Sequence, residues 1–186
     1  MNQTKPGFNP IDQHNSEWPD MTDKIVDFMA KEPLYSTILD IGDRGYKSIS
    51  LSKIWEVTQL HNDDFNIPTK DTGLRFHIVT CFEMIEHIQN PLLFFSTISK
   101  YIVAGGTIYL STPHRPKFLW PPYHFNEMSS NHLEKWILKP CGFKIVRKKR
   151  LRITDGIRWY YPFTGIRPFL RWFFWNYTWI YEIKQN

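Results

Sequence analysis

The chain is poor in cysteine and has no long apolar run. Its 186 residues include only two cysteines, Cys81 and Cys141, which give neither a disulfide framework nor a metal-binding spacing. No apolar run approaches the about 20 residues needed to cross a bilayer. The polar, proline-containing residues 1–20 also lack the apolar core of a signal peptide. These absences are typical of a protein in a reducing compartment, and we expect a cytoplasmic location.

Aromatic residues are what the chain has in excess, at 17%. With 42% hydrophobic and 22% charged residues the composition is that of a globular protein rather than a disordered one. The length suffices for one domain with a substantial core. The net charge of +5 permits contact with anionic lipid, glycolipid or nucleic acid but requires none of them.

Residues 76–91 join a strand pattern to a helix pattern. Phe76–Phe82 is apolar and β-branched, which predicts a buried strand. Apolar residues then recur at helical spacing, namely Met84, Ile85, Ile88, Leu92 and Phe95. The polar side chains at the junction are Glu83, Glu86 and His87. Because ligands of open α/β sheets bind at the carboxyl ends of the strands, we expect the chemistry to take place here.

Strand and helix patterns alternate along the rest of the chain. Strands are predicted at Thr37–Ile41, Trp55–Leu60, Thr107–Ser111 and, as a pair, within Phe143–Ile153. Helices are predicted at Asp20–Lys31, within residues 48–54, from Glu83 to Tyr101, where Ala104-Gly105-Gly106 stops the helix, and from Ser129 or Ser130 through Ile137. The alternation predicts an α/β fold with a mostly parallel sheet. We divide the chain into a mobile N-terminal arm (1–20), an α/β domain (21–153) and an aromatic C-terminal extension (154–186).

Several short motifs, taken in order, resemble those of the class I S-adenosylmethionine-dependent methyltransferases, in particular the small-molecule type 11 group. The segments that carry the resemblance are Ile38–Gly42, Phe82–His87, Val103–Pro113, His124–Ser129 and Cys141–Phe143. The resemblance covers residues 22–153. It implies a three-layer Rossmann-like methyltransferase sheet and S-adenosylmethionine as the cofactor.

The resemblance places the methionine end of the cofactor in the turn after the first strand. The family loop reads Asp-x-Gly-x-Gly-x-Gly. Asp40 and Gly42 fit this pattern, whereas Arg44 and Tyr46 stand where glycines belong. Gly45 restores part of the backbone freedom. The resemblance therefore implies cofactor binding through a degenerate loop.

The resemblance also assigns residues near the adenosine end. Asp63 or Asp64 corresponds to the acid near the adenine, and Cys81 and Phe82 lie at the end of the following strand. The family has a complete strand-helix-strand before that strand, but residues 47–75 leave room for one strand only. We therefore expect a sheet truncated by one strand and one helix. Each lost hydrogen bond to the ribose would cost about 1 kcal/mol of cofactor binding.

The spacing of Glu83, Glu86 and His87 would place all three on one face of a helix. A histidine, with an ordinary pKa of about 6.5, suits the general base for an oxygen nucleophile, with the carboxylates orienting it. Alternatively, the same three residues and His124 hold Mg²⁺ or Zn²⁺, in a pattern similar to metal-dependent O-methyltransferases of the ubiquinone pathway. A third interpretation is structural, with the carboxylates complementing the positive end of the helix and His87 packing against a loop.

Residues 157–181 contain most of the excess aromatic side chains, interleaved with Arg158, Arg167 and Arg171. Either this segment packs back on the sheet, or its rings and guanidinium groups lie in an anionic membrane interface. Stacking on nucleic acid is a third interpretation. No RNA-binding signature accompanies the aromatic residues, so we do not expect a nucleic-acid partner.

These observations predict a methyltransferase that uses S-adenosylmethionine to O-methylate a small or lipid- or sugar-linked acceptor. The alternative is a catalytically inactive methyltransferase-fold protein that acts as a membrane-peripheral or partner-binding scaffold. Binding of S-adenosylhomocysteine separates the two.

Overall fold

The computed structural model describes residues 19–42, 46–60, 65–67, 71–152, 165–170, 173–174 and 177–186. The strands are β1 Thr37–Ile41, β2 Glu56–Leu60, β3 Phe76–Phe82, β4 Ile102–Pro113, β5 Phe143–Arg152 and β6 Tyr177–Gln185. The α-helices are α1 Pro19–Met29, α2 Tyr46–Leu51, α3 Pro91–Ile98, α4 Ser130–His132 and α5 Ile166–Leu170. Short 3₁₀ helices lie at Ile85–His87 and Lys117–Leu119, and α4 continues as a π-helix, Leu133–Leu138, and a 3₁₀ turn, Lys139–Cys141. None of the described helices has the length and apolar character that a membrane span requires.

The strands form one sheet in the order β2-β1-β3-β4-β6-β5. Neighbouring strands from β2 to β4 are parallel, and β6 is antiparallel to both β4 and β5. The chain moves outward from β1 to β2 and then crosses back to β3 on the other side of β1. This reversal makes the carboxyl ends of β1 and β3 the place where an open α/β sheet binds its ligand.

Strand β6 comes from the segment that the sequence analysis placed in an aromatic extension. Tyr177–Gln185 lies inside the sheet, with Ile180 and Ile183 fully buried. Aromatic and β-branched residues alternate along it, which suits a strand between two neighbours. This part of the extension therefore packs with the sheet. At the opposite edge, the described residues between β2 and β3 form no further strand, as expected for a truncated sheet.

Apolar side chains cover both faces of the sheet, giving the predicted three layers. Helices α1 and α2 pack on one face against Ile38, Ile78 and Tyr109. On the other face, α3 and the helix after Ser129 pack against Val79 and Leu110. Strands β1 and β3 are buried on both sides over most of their length, which explains their nearly continuous apolar sequences, whereas the edge strand β2 is exposed or half-buried throughout.

The long helix predicted from Glu83 to Tyr101 is wrong, because the chain forms a 3₁₀ turn at Ile85–His87 and then a separate helix α3. Asn90 caps α3 by accepting a hydrogen bond from the Leu93 amide at 3.1 Å. Pro91 at the first turn has no N–H to donate to a preceding helix. These two residues start a new helix rather than continue the first.

The prediction that Ala104-Gly105-Gly106 ends a helix is also wrong, because these three residues lie within β4. Gly105 has φ +78°, and a Cβ on Gly106 would lie 2.6 Å from Ile102 Cγ1 and 2.8 Å from the His77 carbonyl oxygen. Glycine is needed here for close approach of β4 to β3. The predicted strand pair within Phe143–Ile153 is also wrong, because Phe143–Arg152 is one strand that pairs with β6.

Candidate active site

The polar residues singled out in the sequence meet at the carboxyl edge of the parallel strands. Gly42 follows β1, Glu83 follows β3, and β4 ends at Pro113. The antiparallel β6 begins at the same edge, because Thr178 pairs with Pro113. Four neighbouring strands thus contribute to one edge of the sheet.

Asp40 is buried at the end of β1 and holds the neighbouring elements together. Its carboxylate accepts hydrogen bonds from Ser48 Oγ in α2 and, at 2.5 Å, from Thr80 Oγ1 in β3. Gln59 Nε2 in β2 lies 3.5 Å from the same carboxylate. Asp40 therefore fixes the start of the turn from within the sheet.

Gly42 opens the turn with φ +136°, a conformation that side chains other than glycine rarely adopt. Among the described residues, no heavy atom beyond the chain neighbours of Gly42 lies within 4 Å of the position that a Cβ would occupy. The described part of the chain thus leaves open space at the end of β1. The remaining turn residues 43–45 and the predicted acids Asp63 and Asp64 lie outside the described residues.

Cys81 and Phe82 occupy the last positions of β3. Cys81 has no exposed surface, and its Sγ lies 3.8 Å from the Tyr109 carbonyl oxygen. Burial, with smaller contributions from the Asp40 and Glu86 carboxylates, raises the pKa of the Cys81 thiol, so the side chain is neutral. Phe82 is half-buried and packs with the α1–α2 side of the core. The Cys81 side chain is therefore part of the core, where its thiol donates a weak hydrogen bond to the Tyr109 carbonyl oxygen.

Glu83 has a left-handed backbone conformation, with φ +53°. Its Oε1 accepts hydrogen bonds from Ser111 Oγ at 2.8 Å and from Thr178 Oγ1 at 2.6 Å. Its amide donates to the Ser111 carbonyl oxygen at 3.0 Å. Because Glu83 is not helical, the predicted common helix face of Glu83, Glu86 and His87 does not form. Glu83 instead ties β3 to β4 and β6.

Glu86 lies in the 3₁₀ turn and is only 1% exposed. Thr112 Oγ1 donates to its Oε2 at 3.2 Å. Burial, and next the nearby Glu83 carboxylate, raise the pKa of Glu86 well above its usual range. The side chain therefore keeps its proton at pH values at which an exposed glutamate is ionised.

His87 is half-buried and follows Glu86 in the 3₁₀ turn. Its Nδ1 lies 3.2 Å from the Tyr123 carbonyl oxygen, so Nδ1 carries the hydrogen and Nε2 keeps a free lone pair. The ring stacks on Tyr123 and meets His124 edge-on, with centroids 4.7 Å apart. Burial, and next the neighbouring His124 ring, lower the pKa of His87. A neutral imidazole with a free lone pair can accept a proton.

His124 belongs to a buried network in the loop after β4. Its Nδ1 lies 2.6 Å from Glu127 Oε1, and Arg115 binds both oxygens of the same carboxylate at 2.8 and 2.5 Å. The loop is fixed over the 3₁₀ turn because the Phe125 amide donates to the Glu86 carbonyl oxygen at 2.6 Å. Arg115 is therefore paired with Glu127 inside the loop.

Glu86, His87 and His124 each offer a ligand atom, and these atoms lie within 4.8 Å of one another. Glu83, the fourth predicted ligand, is not in this group, since its carboxylate binds Ser111 and Thr178. Imidazole nitrogens with one carboxylate oxygen form the ligand set of many catalytic zinc sites. Magnesium prefers oxygen ligands alone, so the donors fit Zn²⁺ better than Mg²⁺.

Sequence reasoning missed the residues that position the four acidic and imidazole side chains of the site. The missed residues are Ser111, Thr112, Tyr123, Glu127 and Thr178. For Thr178 a signal was available, because the alternation Tyr-Thr-Trp-Ile-Tyr is a strand pattern. For the pairing of Glu127 with His124 and Arg115 no local pattern exists.

Comparisons with known proteins found a protein family and solved structures that match this chain. A family profile described as "Methyltransferase domain" covers residues 13–164. The chain belongs to this family of methyltransferase domains. As the resemblance implied, the sheet is that of a Rossmann-like methyltransferase. Magnesium protoporphyrin IX methyltransferase from Synechocystis PCC 6803, solved with bound SAH, aligns with a TM-score of 0.61 at 15% identity, over 90% of this chain and 83% of that one.

The methyltransferase domain is also similar to proteins named ubiquinone biosynthesis O-methyltransferase. The protein from Pectobacterium atrosepticum is 28% identical over 133 residues, which is 70% of this chain and 48% of that protein. The one from Proteus mirabilis is 33% identical over 76 residues, 35% of this chain and 31% of that protein. The matched regions thus span less than half the length of these two relatives.

Proposed function

We propose that this methyltransferase domain transfers the methyl group of S-adenosylmethionine to a hydroxyl oxygen of a small or lipid-linked acceptor. The observation that carries the proposal is the position of His87. His87 follows β3 at the carboxyl edge of the parallel strands, and Gly42 follows the neighbouring strand β1 at the same edge. This is the edge at which α/β sheets bind ligands.

The residues present fit the cofactor at its methionine end. The open space beside Gly42 and its positive φ let a ligand approach the backbone closely. Asp40 would hold that turn in place through Ser48 and Thr80 rather than contact the ligand with a free carboxylate. Gly45, Asp63 and Asp64 are part of the proposal on sequence grounds. When bound, S-adenosylmethionine supplies a methyl group on a positively charged sulfur, which is open to in-line displacement.

His87 acts as the general base in this proposal. The proton of the acceptor hydroxyl passes to Nε2 as the oxygen attacks, and the Tyr123 carbonyl keeps the ring in the tautomer that can accept it. The Glu83 carboxylate favours the resulting imidazolium, since it raises the His87 pKa against the larger effect of burial. Holding the hydroxyl in line with the methyl group supplies further rate enhancement.

A divalent cation is the second element of the proposal. Glu86, His87 and His124 would hold it, and the donor set favours Zn²⁺. A bound cation would lower the pKa of an acceptor hydroxyl. His87 would then be a ligand rather than the base, so the two roles predict opposite responses to a chelator.

The acceptor class is supported by the names of the relatives, which are O-methyltransferases. Lipid linkage and peripheral contact with an anionic membrane remain part of the proposal, together with a cytoplasmic location. They are supported by the exposed apolar residues of the C-terminal segment, Phe173 and Phe174.

Transfer of a labelled methyl group from S-adenosylmethionine to a panel of hydroxylated aromatic compounds tests the proposal. We expect saturable transfer that is inhibited by S-adenosylhomocysteine. Activity that survives EDTA assigns His87 as the base, and activity lost with EDTA and restored by Zn²⁺ assigns the metal. A protein that binds neither donor nor product would instead be the inactive scaffold.

A further inference from the structure

The outer edge of the sheet carries a row of cations on top of aromatic rings. Within β5 and β6, Lys148 pairs with Tyr181, Arg150 with Trp179, and Arg152 with Tyr177. Directly paired residues of antiparallel strands project from the same face. We call Lys148, Arg150, Arg152, Tyr177 and Trp179 the β5–β6 strip.

The three cations of the strip are exposed and lack carboxylate partners. Lys148, Arg150 and Arg152 are exposed, and none forms an ion pair with a described residue. This differs from Arg147 on the same strand, whose Nε binds the buried Glu182 at 2.8 Å. The strip therefore presents uncompensated positive charge at the surface.

Aromatic rings lie directly beneath these charges. Lys148 Nζ lies 5.6 Å from the centroid of the Trp179 ring, and the Arg150 guanidinium lies 4.9 Å from that of Tyr177. Both rings are half-buried. Rings with a polar tip beside cations suit the boundary between water and lipid head groups.

Exposed apolar side chains lie in the chain between the cations and the aromatic rings of the strip. They are Ile166 (80% exposed), Phe169 (40%), Phe173 (54%) and Phe174 (59%). Phe174 is three residues before Tyr177, so their Cα atoms are at most about 11 Å apart. Exposed apolar rings thus lie within a few residues of the aromatic end of the strip.

The strip leads to the candidate active site on the same face of the sheet. Trp179 pairs with Arg150 on one side and with Thr112 on the other, and Thr112 binds Glu86. With strands about 4.8 Å apart, Arg150 lies about 10 Å from Thr112. A surface bound at the strip would therefore face the mouth of the site.

We propose that the β5–β6 strip docks this protein on an anionic lipid bilayer. Residues at alternate positions of a strand are about 6.6 Å apart, so the three cations face a plane of head groups and do not converge on one phosphate. The exposed phenylalanines favour a bilayer over nucleic acid, because their rings bury apolar area among lipid chains. The sequence pointed only to the aromatic segment for such contact, whereas the structure adds the cationic edge of the sheet.

The test is cosedimentation of the full chain with phosphatidylcholine vesicles, with and without phosphatidylglycerol. We expect the protein to bind the anionic vesicles. The variant K148Q/R150Q/R152Q should bind about a hundredfold more weakly, since each charge near an anionic surface is worth roughly fivefold. R150K/R152K keeps the charges and should bind within about threefold of the unchanged protein.

The control variant K53Q/K100Q/K139Q removes the same charge from the amino end of the sheet and should keep most of the binding. The proposal would be overturned if the two triple variants lost vesicle affinity equally, or if the unchanged protein did not bind vesicles. Binding of poly(U) in preference to anionic vesicles would also overturn it. The cosedimentation experiment contains neither the methyl donor nor a methyl acceptor. A failure to bind vesicles can therefore be distinguished from a failure of methyl transfer.

Discussion

Replacing Glu127 by glutamine is expected to lower the free energy of unfolding at pH 7 by about 3–5 kcal/mol. The cause is that Arg115, only 8% exposed, loses the carboxylate that binds it through two hydrogen bonds. An uncompensated buried guanidinium then remains, and His124 loses its partner as well. Urea denaturation of the two proteins measures the difference.

The effect of this substitution should depend on pH. Burial alone would raise the pKa of Glu127, but hydrogen bonds from His124 and Arg115 outweigh it and lower the pKa. A carboxylate with a lowered pKa in the folded state contributes stability above its unfolded value of about 4.3, which is lost as the pH falls through the folded value. The difference in the free energy of unfolding between the unchanged protein and Glu127→Gln should therefore shrink below about pH 4.3.

Glu56→Gln is the matched control, because Glu56 is exposed in β2. Exposed substitutions of this kind change stability by about 0.5 kcal/mol or less. If Glu127→Gln lowers the free energy of unfolding no more than Glu56→Gln does, the ion pair of Arg115 with Glu127 does not stabilise the loop.

Replacing His87 by alanine is expected to lower kcat for methyl transfer by about 10²–10⁴-fold, the usual contribution of a general base. Because the proposed base acts on the acceptor rather than on the donor, the affinity for S-adenosylhomocysteine should stay within about threefold. For the unchanged protein, kcat should rise with pH along a limb below the ordinary histidine pKa of about 6.5, since burial lowers the His87 pKa.

His132, exposed in α4, provides the control for this experiment, and His132→Ala should leave kcat unchanged. Loss of donor affinity together with kcat in the His87 variant would indicate a structural role. Equal rates for both variants would remove His87 from the mechanism.

Strands with continuous apolar or β-branched residues could be predicted well from the sequence. Thr37–Ile41 and Phe76–Phe82 form strands at the expected positions, since a strand buried on both faces is recognisable without its neighbours. The helix after Ser129 was also located by its cap, where Ser129 accepts from the His132 amide at 3.2 Å. These features are decided by local residues.

Features that depend on distant residues were harder to predict. The apolar residues after Glu83 recur at helical spacing without a break, which predicted one helix. The chain instead starts a new helix, α3, at Pro91, because Asn90 caps it. Strand β6 was hidden in an aromatic segment whose partners, β4 and β5, lie far away in the chain. Aromatic residues bury large areas in either a sheet or a membrane, so composition alone could not decide.

Glu83, Glu86 and His87 follow the predicted strand Phe76–Phe82, but the geometry predicted for the three side chains is wrong. Glu83, Glu86 and His87 were placed on one helix face, yet the left-handed conformation of Glu83 directs its carboxylate to Ser111 and Thr178. His124 still approaches His87, because the loop after β4 is held against the Glu86 carbonyl. Such contacts join residues that are far apart in the chain and leave no local sequence pattern.

Calorimetric titration with S-adenosylhomocysteine tests the central claim most directly, namely that the turn at Gly42 still holds the cofactor. We predict a dissociation constant below about 100 μM for the unchanged protein. Gly42→Val should weaken binding by about tenfold or more, since a side chain would fill the open space beside β1. Gly73→Val should not, although Gly73 also has a positive φ of +76°. No heat from the unchanged protein, or equal binding by the Gly42 and Gly73 variants, would contradict the account.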